Sequence, residues 1–143
     1  MNTTKNLLKT VCIFFFSASS MIFGQSETPT MSVNDLNRLT ISDGISLHII
    51  SPEPIQFVDL STNNLVGDLP AENIARIKIA DVITGDSLQQ VDKNNLGIIT
   101  IVCQSFMVQY KLDYKNYNRE AITNLQMKPE HMHTLEYPAT RLS

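Results

Sequence analysis

Gly97-Ile98-Ile99-Thr100-Ile101-Val102-Cys103, followed after Gln104-Ser105 by Phe106-Met107-Val108-Gln109-Tyr110-Lys111-Leu112-Asp113, decides the fold of this chain. The first block is mostly β-branched and apolar, is bounded upstream by Asn94-Asn95, and is too short for a typical helix. It predicts a strand covered on both faces. The second block alternates, which puts Phe106, Val108, Tyr110 and Leu112 on an inner face and the residues between them outside. Two consecutive antiparallel strands follow. Their Gln104-Ser105 connection lacks the Gly or Asn of the tightest hairpins, so a longer loop or a bulge is expected there.

The upstream sequence repeats the theme. In Ile74-Ala75-Arg76-Ile77-Lys78-Ile79 the residues Ala75, Ile77 and Ile79 share one face and Arg76 and Lys78 the other, the mark of a half-buried strand with a wet outer side. Ile55-Gln56-Phe57-Val58-Asp59 reads as a strand with Ile55 and Phe57 on one face. Leu65-Val66 reads as a short strand between Ser61-Thr62-Asn63-Asn64 and a Gly67-Asp68 turn. Asp43-Gly44 predicts a hairpin opening into a strand at Ile45 to Ile50, which Pro52 and Pro54 then break. Asp81 to Asn95, with Gly85 and several Asp and Asn, reads as a long loop or a loop with a marginal turn of helix. Arg119 to Met127 has only a weak helical pattern. Short strands separated by polar turns predict an all-β fold, a small antiparallel β-sandwich of immunoglobulin-like layout.

The chain begins MNTTKNLLKTVCIFFFSASSMIFGQ. Lys5 and Lys9 precede an apolar run from Val11 to Phe23 that ends at a small residue, Gly24, which is the layout of a secretory signal peptide. Ser17, Ser19 and Ser20 interrupt the run, and it falls short of the ~20 apolar residues of a membrane-spanning helix. The expected organisation is a signal peptide at 1–24, a flexible lead at 25–38, the β-sandwich at 39–114 and a polar linker or tail at 115–143. No transmembrane helix is expected after cleavage, and the protein is expected to be exported to the periplasm. Cys12 lies too early to carry a lipid anchor, and its removal leaves Cys103, which closes an apolar run and is expected to be a buried thiol. The chain of 143 residues has 11 Lys+Arg against 14 Asp+Glu, a formal net charge of −3. Such a balance carries no electrostatic footprint for nucleic acid.

A search for the phosphate-cradling Gly-rich loop, the Gly-x-Ser-x-Gly elbow, paired Cys ligands and His-Glu-x-x-His finds none, and neither enzyme activity nor a cofactor is expected. His131 and His133, in Glu130-His131-Met132-His133, are the weak metal candidates, because two imidazoles spaced by one residue can point the same way on an extended chain. At least one further ligand is needed, and surface histidines are the plainer reading. Arg76 and Lys78, with Gln109 and Lys111 on the later strand, form the candidate interaction surface. A small sheet also exposes edges whose unpaired backbone groups readily take another chain.

Three stretches in order, SLHIISPEPIQFVDLSTNNLVG (46–67), ENIARIKI (72–79) and NNLGIITIVCQSFMVQYKLDY (94–114), resemble the N-terminal domain of the TraN transfer proteins of Bacteroides-type conjugative transposons. A looser similarity of layout links them to the β-sandwich subunit of type IV secretion outer-membrane core complexes, a fold-level analogy. The resemblance implies a periplasmic or outer-membrane-associated structural part of a DNA-transfer apparatus in the cell envelope. Its partners would be other envelope proteins of that apparatus, with no direct contact to DNA and room for oligomerisation. TraN proteins carry a second β domain, so 115–143 is expected to lead toward one that this chain lacks. Two alternatives stand beside this one: a stand-alone periplasmic domain for a small ligand or metal, and a truncated remnant without function.

Overall fold

The computed structural model describes residues 30–81, 90–116 and 118–141. The expected signal peptide lies outside the described residues, as does most of the expected loop at 81–95. Among the described residues, nine strands form two sheets. They are β1 (Asn37–Ile41), β2 (Leu47–Ile50), β3 (Ile55–Leu60), β4 (Leu65–Ala71), β5 (Ile74–Ile79), β6 (Ile98–Cys103), β7 (Phe106–Tyr114), β8 (Asn124–Gln126) and β9 (His133–Thr134). The first sheet runs β1-β7-β6-β3 with β9 also on β7, and the second runs β4-β5-β2-β8. The orders β7-β6-β3 and β4-β5-β2 correspond to G-F-C and D-E-B of an immunoglobulin-type sandwich. The β1 strand joins β7 instead of β2, and β8 takes the vacated place beside β2.

Both of those pairings are parallel, so the sheets are mixed where the sequence predicted purely antiparallel ones. The physical reason is distance along the chain. Hairpins force antiparallel neighbours, but β1 and β7, or β2 and β8, are joined by long connections that leave direction free.

Alternation sets the core. Leu39 and Ile41, Leu47 and Ile49, Ala75, Ile77 and Ile79, Ile99 and Ile101, and Val108, Tyr110 and Leu112 are all buried between the sheets. Each large apolar side chain placed there is worth roughly 1.5–3 kcal/mol. Backbone bonding on β5 alternates too. Ala80 N–H donates to Asn64 O at 2.9 Å, so with the β4–β5 register the even residues of β5 bond β4. Ser51 N–H donates to Asn73 O at 2.8 Å, and the odd residues of β5 bond β2.

Several expectations are corrected. Asp43-Gly44 does not close a hairpin: β1 and β2 lie in different sheets, and Gly44 (φ 71°) turns the corner between them. Phe57 does not share the inner face with Ile55, because the register shifts between them; Ile55 is 2% exposed and Phe57 52%. Gly67-Asp68 is no turn. The β4 strand runs through it, and a Cβ on Gly67 would stand 2.7 Å from Ile77 Cδ1. The Gln104-Ser105 connection is direct, with Val102 paired to Met107. Glu53 supplies what the missing Gly does not: its carboxylate accepts Ser105 N–H at 2.7 Å and Ser105 Oγ–H at 2.9 Å.

The ends differ as well. In the expected lead, a 3₁₀ turn at Val33–Asp35 precedes a buried Leu36, and β1 begins at Asn37. In the expected linker, the weakly helical stretch contains β8, Met127 is 4% exposed, and β9 lies on β7. Leu135 N–H and Ala139 N–H then donate to Ser105 O and Gln104 O, both at 2.9 Å. Arg141 Nε and Nη2 finally reach Gln56 O and Ile55 O on β3. The segment after β7 is therefore an arm that closes on both sheets.

Candidate functional site

The candidate surface residues divide between the two sheets. Arg76 and Lys78 stand on the outer side of β5, and both are exposed. Gln109 and Lys111 stand half-buried on the outer side of β7, in the other sheet. The sandwich therefore separates the four into two pairs that face away from each other.

The cationic groups on the β5 face are paired. Arg76 grips the neighbouring Asp68 with Nε at 2.8 Å and also with Nη2. That guanidinium holds the Asp68 carboxyl below its usual range, and Asp68 in turn raises Arg76. Lys78 Nζ lies 3.1 Å from Asp81. Asp68, Arg76 and Lys78 line, with Ser46, Val66 and Gly67, a shallow depression of about 440 Å³. On the other sheet, Gln109 Nε2 donates to Thr100 Oγ1 at 3.0 Å, and Arg38 pairs with Asp113 at 3.0 Å. Exposed pairs of this kind contribute little to stability, but they give each face a fixed pattern of sign.

The metal candidates are placed apart in role. His131 closes a 3₁₀ turn, and its Nδ1 lies 3.2 Å from the hydroxyl of the fully buried Tyr110, with the rings edge to face at 5.5 Å. His133 lies in β9, opposite Met107. Among the described residues, no three His, Cys, Asp or Glu side chains come together as a metal ion requires. Cys103 is fully buried, with Sγ 3.2 Å from Ser51 Oγ, and burial pushes its thiol up.

A cluster that the sequence did not announce joins the corner after β1 to the segment before β6. Asp43 Oδ2 receives Lys93 Nζ at 2.7 Å and Tyr114 O–H at 2.8 Å, and Lys93 also stands 4.6 Å from the centre of the Tyr114 ring. The lysine lowers Asp43, and Asp43 raises Lys93. Asp43 was visible only as a turn residue, because its partners lie 50 and 71 positions away.

The sheet edges complete the surface. Ile122 N–H donates to Thr40 O on β1 at 2.9 Å, β9 lies along β7, Arg141 holds the start of β3, and β8 is itself a short edge. On β4, bonding of the even residues to β5 leaves Leu65 and Gly67 with N–H and C=O directed away from the sheet. No helix among the described residues is long and apolar enough to cross a membrane.

No protein-family model matches this chain, and no curated protein sequence matches it either.

Proposed function

We propose that this protein is an exported, non-catalytic structural component of a conjugative DNA-transfer apparatus in the cell envelope, acting by protein–protein contact. The observation that carries the contact role is the outward-directed backbone of β4 at the rim of a sandwich whose charges are arranged in pairs. Strand addition at such an edge supplies main-chain hydrogen bonds, while the neighbouring side chains select the partner. The place in a transfer apparatus rests on the resemblance to TraN proteins. The stretches that carry it form β2 through the start of β4, then β5, then β6 and β7, together with the turns that join them.

The test is in vivo cross-linking followed by affinity capture from envelope fractions of cells that are actively transferring DNA. Recovery of other transfer proteins, reduced by substitutions on the β4 edge, is the expected result. Capture that returns none of them defeats the assignment to the apparatus.

A further inference from the structure

We infer that β4 is the strand through which two copies of this chain pair, edge to edge about a two-fold axis centred on Val66. This rests on the contact role proposed above but not on the transfer apparatus. The first support is elimination. The arm after β7 occupies or clasps the β1, β2, β7 and β3 edges through Ile122, β8, β9 and Arg141. The β3 edge is further blunted by the register shift at its start and by the exposed carboxylate of Asp59. On β4, Pro70 and the register shift between Asp68 and Ala71 lie only at the far end, and the one carboxylate of the strand, Asp68, is held by Arg76. No other backbone group among the described residues bonds Leu65 or Gly67.

The second support is self-complementarity. In an antiparallel pairing centred on Val66, Leu65 of one copy exchanges both backbone bonds with Gly67 of the second copy, and the reverse exchange completes a set of four by symmetry. Val66, 39% exposed on the outer face, then meets Val66 of the second copy at the close, non-bonded position, which suits a β-branched pair. Asp68 falls opposite Asn64 of the second copy, so no like charges are directly opposed. The two four-stranded sheets would merge into one continuous sheet. So short a seam makes a weak, concentration-dependent dimer rather than an obligate one.

The experiment is analytical ultracentrifugation of the full chain over a hundredfold range of concentration, with hydrogen exchange at low and high concentration. The expected result is a rise of apparent mass toward twice the monomer value and a severalfold slowing of exchange at Leu65 and Gly67. Val66→Lys, which places two lysines face to face at the axis, is expected to abolish both changes while thermal unfolding stays as in the parent. A monomer throughout overturns the inference. So does a dimer that Val66→Lys leaves intact, or one in which the two amides exchange as fast as in the monomer. Purified protein alone is used, so failure here leaves the capture of envelope partners untouched, and failure of that capture leaves this pairing untouched.

Discussion

Gly97 carries two constraints at once. Its φ of 102° lies in the region that side chains avoid, and a Cβ there would stand 2.5 Å from Ser61 Oγ and 2.7 Å from Thr62 Cγ2. Those neighbours are held in turn, since Thr62 Oγ1 donates to Leu96 O and Ser61 Oγ accepts Ile98 N–H. Gly97→Ala should therefore cost about 2 kcal/mol or more, read as a lowered urea midpoint with an unchanged slope. Tyr110 makes a second prediction. Burial first, and the Glu130 carboxylate second, push its phenol up to about 12 from 10.0. The unfolded chain then loses that proton more readily than the fold does. The contribution of this phenol to stability is whole below pH 10.0 and declines as pH rises toward 12. Tyr110→Phe should flatten this alkaline decline in denaturation midpoints measured across that window. An equal decline in the variant would remove Tyr110 as its source.

Among the elements, β5 and β7 were fully legible, because period-two alternation in Ala75, Ile77 and Ile79 and in Phe106 to Leu112 needs no knowledge of neighbours. Phe57 was misplaced because a register shift reverses the faces without leaving a mark on composition. The strand β8 was missed for a different reason. Asn124-Leu125-Gln126 has little strand preference of its own and is held by the open side of β2, where His48 N–H meets Thr123 O and Met127 N–H meets Ile50 O, both at 3.0 Å. This decides what a substitution in the arm should do. Met127→Ala should lower stability by about 2 kcal/mol and speed exchange of the His48 amide. A freely moving linker would yield less than about 0.5 kcal/mol.

At the scale of the whole molecule, Cys103 is sealed by the sandwich around it. Ile55 opposite, Ser51 at Sγ and the closed β6–β7 hairpin leave it 0% exposed. A thiol reagent should modify it only as fast as the domain opens, and denaturant should bring the rate to that of a free thiol; rapid labelling of the native protein would contradict this burial. The candidate surface was legible at this scale only in part. Charges on alternating positions announced an outer face for Arg76 and Lys78, but which strand stands at a rim depends on strand order, and strand order depends on pairings between distant segments. The partition of Gln109 and Lys111 onto the opposite side belongs to the same class of information.

The arm that crosses the hairpin tip also sets the order in which the molecule can be assembled. Asn37 must find Tyr110 before β1 has a place, and β8, β9 and Arg141 can dock only on surfaces that β1 to β7 have already built. Pairings so distant along the chain make for slow folding, in the range of milliseconds to seconds. We predict that the arm is a latch that shuts last. Weakening it should leave the refolding rate nearly unchanged and accelerate unfolding, so the lifetime of the folded state, more than its rate of formation, is written in the final stretch of the sequence.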